Sequence, residues 1–253
     1  MVAIIVLRSS SLSDFAACGS AEGDGAGTLA AMSNPRTMLV IASAGVLTAC
    51  GSGQSAEQEF SHADIAHVAN VKSSFGPEFK VTTLGPTGID PRLLGRQTLP
   101  PGMVFEPADC GKGASQPLVP AGVKGNMAAT TAEGKGNRFI AIAVETSEAV
   151  PANDPSKNCH KVTFTRPGMR GLVEVVEAPQ IGGVHTVGTH RVLQTIVAGK
   201  PRTGELYNYI ASFGTFLVIV TANPLVLPGK PVDRVDTQRA RDLLTAAVAA
   251  VKG

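Results

Sequence analysis

Residues 126–145, NMAATTAEGKGNRFIAIAVE, place two strand-like runs on either side of a glycine-rich turn. Met127–Thr131 and Arg138–Glu145 read as the arms of a hairpin. Glu133-Gly134-Lys135-Gly136 is its turn, with glycines free to take positive φ. Side chains alternate between the two faces of a strand. Ile140, Ile142 and Val144 therefore share one face, and Phe139, Ala141 and Ala143 share the other. Both faces are apolar, so this strand is central in its sheet and covered on both sides.

More hairpins follow toward the C-terminus. Lys161–Thr165 and Leu172–Glu177 flank Pro167-Gly168-Met169-Arg170-Gly171, and Thr189–Val197 pairs with Leu206–Ser212 across a loop over Ala198–Gly204. Thr215–Thr221 follows a tight reversal at Gly214. Strands joined by short turns make an antiparallel sheet. The chain then closes with a helix. Asp236 is placed to cap it, and Ala240, Leu243, Leu244, Ala247, Val248 and Val251 recur at helical spacing.

Toward the N-terminus the hairpin is preceded by residues 85–125, an irregular crossing punctuated by Pro86, Pro91, Pro100, Pro101, Pro107, Pro117 and Pro120. Phe79–Leu84 reads as a first strand. A helix before it carries Ile65, Val68, Val71 and Phe75 on one face, with Ser61 as its cap and Asp64 at the third helical position. The expectation is an α+β domain: an antiparallel sheet of about six to eight strands with an N-terminal and a C-terminal helix packed on it.

Ahead of this domain, Met38–Val46 is a short uncharged apolar run preceded by Arg36 and closed by Leu47-Thr48-Ala49-Cys50. It falls well short of the roughly 20 apolar residues that a membrane-spanning helix needs. A basic start, a short apolar stretch and a small-residue exit form an export signal. The closing tetrad resembles the lipobox of bacterial lipoproteins, which implies that Cys50 is lipidated and becomes the first mature residue. The chain thus divides into an extension at 1–31, a signal at 32–49, a flexible stalk at 50–60 and a globular domain at 61–253. The extension reads as an early start codon ahead of a true start at Met32, or else as a disordered leader.

Removing residues 1–49 takes Arg8 and Arg36 against Asp14, Glu22 and Asp24, which leaves 20 basic and 17 acidic residues. That near-balance, with no basic run, argues against nucleic-acid binding. Of four cysteines, Cys18 and Cys50 fall before or at the anchor. Cys110 and Cys159 remain as an even pair in an exported, oxidising setting, which favours a disulfide over free thiols or a metal site.

No serine-nucleophile elbow or phosphate-binding loop is present. Glu174 and Glu177 fall on opposite strand faces and make a poor carboxylate pair. His185 and His190 also fall on opposite faces, so no shared metal is expected, and no cofactor. Tyr207, Tyr209, Phe213 and Phe216 are the candidate lining of an apolar ligand groove between the sheet and the proline-rich loop; the competing reading makes them core beneath the C-terminal helix.

The lipobox and stalk, Leu99-Pro100-Pro101-Gly102 leading to Pro107-Ala108-Asp109-Cys110, and Cys159 opening a strand together resemble a group of mycobacterial and actinobacterial cell-envelope lipoproteins. Thr221-Ala222-Asn223-Pro224 after the last strand and the terminal helix fit the same group. Its members are uncharacterised and are similar to the extracellular sensor domain of a receptor-type serine/threonine kinase. The resemblance implies an α+β sandwich with a structural disulfide and a ligand cleft. That sensor domain has a second disulfide which this chain lacks, and no catalytic residues carry over. The function expected is a non-enzymatic lipoprotein, lipid-anchored on the extracytoplasmic face of the cell membrane, that binds an apolar envelope ligand or a partner protein. The alternative is an envelope hydrolase or transferase.

Overall fold

In a computed structural model, the residues described are 60–90, 93–94, 102–115, 117–120, 122–151 and 154–253. The extension, the signal with Cys50, and the stalk up to residue 59 lie outside them. The sheet is built from β1 (Lys80–Gly88), β2 (Val104–Glu106), β3 (Gly125–Gly134), β4 (Asn137–Thr146), β5 (Lys161–Arg166), β6 (Met169–Val176), β7 (His185–Val197), β8 (Lys200–Phe213) and β9 (Phe216–Pro224). Every neighbouring pair is antiparallel, in the order β1-β3-β4-β9-β8-β7-β6-β5-β2.

Nine strands exceed the six to eight expected. The additional one is β2, three residues just before Pro107 in the proline-rich crossing. Three residues cannot display an alternation, so only their pairing with β5, Phe105 opposite Phe164, makes them a strand. The loop expected over Ala198–Gly204 is also absent. Ala198 (φ 50°) and Gly199 (φ 74°) reverse the chain in two residues, and β8 starts at Lys200. Two consecutive positive φ values match the right-handed twist of the flanking strands and keep the ladder running. The last strand likewise runs through Thr221-Ala222-Asn223-Pro224 rather than ending before it.

The β3–β4 turn uses Lys135 (φ 47°) and Gly136 (φ 70°) in the same way. Gly134 serves a different purpose. A Cβ there would stand 2.5 Å from the Glu78 carbonyl oxygen and 2.7 Å from the Phe79 ring.

The central hairpin is covered on both sides, as its two apolar faces require. Phe139, Ala141 and Ala143 enter a core with Val218, Val220 and Ala222 of β9, beneath the two terminal helices. Ile142 and Val144 enter a second core on the opposite face with Met127, Leu217 and Ile219, against which Ile89, Leu118 and Ile140 pack. Alanines on the first face let the helices approach the sheet closely.

The N-terminal helix, Ile65–Ser74, is a 3₁₀ helix rather than an α-helix. Its buried residues Ile65, Val68 and Val71 recur every third position, a spacing that a helix of three residues per turn stacks in line along one face. Its cap is Asp64, whose carboxylate accepts from the Ala66 amide at 2.7 Å, and not Ser61. The buried Thr130 hydroxyl donates to the Val68 carbonyl at 3.0 Å and fastens this helix to β3. The C-terminal helix, Thr237–Lys252, is capped by Asp236, which accepts from the Arg239 amide at 2.9 Å. It buries the six residues read from the sequence.

Candidate functional site

The N-terminal helix lies over β1, β3 and β4 and the C-terminal helix over β4, β8 and β9, so the strands beyond β8 carry a different cover. On the second face of the sheet that cover is the pair of loops around Cys110 and Cys159, which form a disulfide with Cα atoms 5.5 Å apart. Phe105 of β2 packs on Phe164 of β5 with ring centroids 6.2 Å apart. Gly111 lies so close beneath Phe105 that a Cβ would stand 2.7 Å from its ring. The turn at Ala108–Cys110 and the helical turn Gly111–Ser115 are thereby held over the sheet. The second loop is laced to the first by Asn158, whose amide donates to Asp109 at 2.9 Å.

Between the loops and the sheet lies a pocket of about 390 Å³. Its walls are Asp109, Cys110 and Lys112–Ala114 on one side and Asp154–Ser156 with Cys159 on the other. Its floor is a patch of sheet in which Val162 stands beside Val173, Val173 beside Arg191, and Val175 beside Thr189, which pairs in turn with Asn208. The valines form an apolar side; Thr189, Arg191 and Asn208 form a polar one.

The polar side is unevenly satisfied. The Thr221 hydroxyl donates to Asn208 Oδ1 at 2.7 Å, which leaves the amide NH₂ for the pocket. Burial holds the Arg191 guanidinium below its ordinary pKa range. Among the described residues no carboxylate or carbonyl pairs with it. The acids at the mouth are engaged elsewhere, Asp154 with His185 Nε2 at 2.8 Å and Asp109 with Asn158.

The opposite face of β6–β8 carries a second polar group. His190 has Glu174 at 2.9 Å from Nδ1 and Glu205 at 2.9 Å from Nε2. Its ring stacks on Tyr207, centroids 4.2 Å apart and planes 11° from parallel. His185 and His190 are on opposite faces, as alternation along one continuous strand demands. They share no ligand position.

The four aromatic residues expected to line a groove stand on the helix-covered face instead. Tyr209, Phe213 and Phe216 are 1%, 5% and 7% exposed within the first core, and Tyr207 packs against it half-buried. The observed pocket is lined by their even-numbered neighbour Asn208. The sheet does bear a cleft beside the proline-rich loop, but on its other face. Asp109, Cys110 and Cys159 cluster closely enough to suggest a metal site; the two sulfurs are bonded to each other and are not available as thiolates.

Sequence reasoning passed over Thr189, Arg191 and Asn208. One signal was present: on strand alternation Arg191 shares its face with Thr189 and Leu193, which sets a charge in a run otherwise suited to burial.

The family model for a domain of unknown function, DUF5642, matches residues 64–252. A solved structure of an uncharacterised Mycobacterium smegmatis protein, an Rv0999 ortholog, is 64% identical with a TM-score of 0.72, and the match covers 76% of this chain and 98% of that one. The match thus takes in nearly all of that crystallised chain. The extracellular domain of the Mycobacterium tuberculosis kinase PknH matches at 14% identity over 76% of this chain and 96% of that one, with a TM-score of 0.33, a likeness too slight to argue from. No curated protein matches.

Proposed function

The chain belongs to the DUF5642 family, and we propose that it is a non-enzymatic, ligand-binding lipoprotein of the cell envelope. The observation that carries this reading is the pocket of about 390 Å³ between the disulfide-joined loops and the sheet. Its volume falls in the range of small-molecule sites, roughly 300–1,000 Å³. Its free polar groups are donors that orient a ligand, while the carboxylates at its mouth are already held by His185 and Asn158. A disulfide belongs to an oxidising compartment, which agrees with an extracytoplasmic domain tethered through lipid on Cys50.

Native mass spectrometry tests the binding. Full-length protein extracted from the envelope of a mycobacterial host carries a small molecule, and a Thr189→Trp variant, with the pocket filled, does not. A wild-type protein that is always empty overturns the reading, as does turnover of an envelope ester, peptide or glycan at the pocket. Detergent-phase partition tests the anchor: wild type enters the detergent phase and Cys50→Ala stays in the aqueous phase. Identical partition of the two rules the anchor out.

A further inference from the structure

We infer that the pocket takes an amphiphilic ligand bearing a single negative charge, with its acidic group on Arg191 and its apolar body against Val162, Val173 and Val175. This rests on the pocket being the binding site.

The charge of the ligand follows from the accounting around Arg191. A guanidinium presents five N–H donors and no acceptor, and removing it from water is costly unless an anion faces it. Arg191 is partly buried in the pocket floor, and among the described residues no anion is paired with it. Two further donors share its face. Thr189 lies two residues earlier on β7, and Asn208, directly opposite Thr189 on β8, has its oxygen occupied by Thr221 and its NH₂ left over. Convergent donors around an unpaired guanidinium form a receptor for a carboxylate or a phosphodiester.

The count of one charge comes from the mouth. Asp109 and Asp154 line it along with Lys112, so a second negative charge on the ligand would meet two carboxylates. The apolar body comes from the floor. Val162 is 3% exposed, and Val173 and Val175 continue the same surface across β6. A ligand that is only an anion would leave the partly exposed Val173 and Val175 facing water.

Calorimetric titration of the full chain with octanoate, with its uncharged analogue octanamide and with inorganic phosphate tests this. Octanoate binds one per chain, and octanamide and phosphate each bind at least about tenfold more weakly, the scale of one charge-assisted contact. Arg191→Leu removes the preference for octanoate and leaves octanamide unchanged; Arg191→Lys restores part of it. Absence of octanoate binding, equal affinity for octanoate and octanamide, or phosphate binding as tightly as octanoate overturns the inference without any variant. If octanoate and octanamide bind equally and Thr189→Trp blocks both, the pocket remains a binding site and only the anionic class is wrong. If a ligand from the envelope persists on Thr189→Trp, the pocket itself is the wrong site.

Discussion

Cys110 is bonded to Cys159 across 49 residues of chain, and the loops so joined are the two walls of the pocket. The bond spans from the proline-rich crossing to the start of β5, on the face of the sheet opposite the helix-covered core. Closing a loop of this length restricts the unfolded chain by about 4 kcal/mol in the chain-entropy account. A Cys110→Ser, Cys159→Ser double variant is therefore expected to keep its helices and central strands, with stability lowered by up to about 4 kcal/mol. Its ligand binding should fall further than its stability accounts for, because the walls separate. Denaturant titration alongside calorimetry checks both, and an unchanged affinity would show that the walls hold without the bond.

His190 and the pocket residues Thr189 and Arg191 are neighbours in sequence yet act on opposite faces of one strand. The imidazole can donate to Glu174 and Glu205 together only when both ring nitrogens carry hydrogen, and it also stacks on Tyr207. His190→Leu removes these contacts and leaves two half-exposed carboxylates side by side. The expected loss is about 1–3 kcal/mol in denaturant unfolding, with octanoate affinity unchanged. A variant as stable as wild type, or one that loses binding, contradicts the separation of the two faces.

The sequence contains two tyrosines, Tyr207 and Tyr209, and burial raises the pKa of both hydroxyls above the ordinary value of 10.0. Around Tyr207 the Glu205 carboxylate adds to the rise, and around Tyr209 a hydrogen bond to Arg241 partly opposes it. Both are neutral in the folded and the unfolded chain below that value, so they leave stability unchanged there. As pH rises through and past 10.0 the unfolded chain ionises first and the fold loses stability. Ultraviolet titration of tyrosinate should show both groups ionising above 10.0, and Tyr209→Phe should flatten the alkaline fall in melting temperature. Ionisation of either group at its ordinary value in the folded protein would contradict this.

Gly134 and Gly204 are both strand glycines, and their replacement should separate a steric need from a neutral position. At Gly134 a methyl group meets the Glu78 carbonyl oxygen and the Phe79 ring, whereas at Gly204 nothing lies within 4 Å. Gly134→Ala is expected to cost about 1–3 kcal/mol through displaced backbone and ring. Gly204→Ala should be neutral or slightly stabilising, since alanine restricts the unfolded chain. Thermal melts of the two variants make the comparison; equal effects would mean that the close approach at Gly134 is relieved at little cost.

Much of the fold is legible in residues whose neighbours along the chain settle their conformation. Phe139 to Val144 alternate two apolar faces, and both are buried. Asp236 followed by the apolar positions through Val251 gives the closing helix to within a residue. Cys110 and Cys159 are a legible pair because they are the two cysteines that follow the expected export signal. Less was legible where local signals compete. Pro201 and Gly204 read as loop, yet the two-residue turn at Ala198-Gly199 carries the ladder straight through them. The threefold spacing of Ile65, Val68 and Val71 does not by itself separate an α-helix from a 3₁₀ helix over so short a run.

The sequence alone determined the layers of this protein: an antiparallel sheet apolar on both sides at its centre, a helix at either end and one bridge between two loops. Those features depend on alternation, capping and cysteine count, which are properties of residues near one another in the chain. Only the tertiary structure decided where the pocket lies. Alternation places Tyr207 and Asn208 on opposite faces but cannot say which face the helices cover, and that choice put the aromatic residues in the core and Asn208, with Thr189 and Arg191, in the open cleft. Whether Arg191 is paired is likewise a fact of three-dimensional neighbours, since its possible partners come from loops distant in sequence and are engaged with His185 and Asn158 instead.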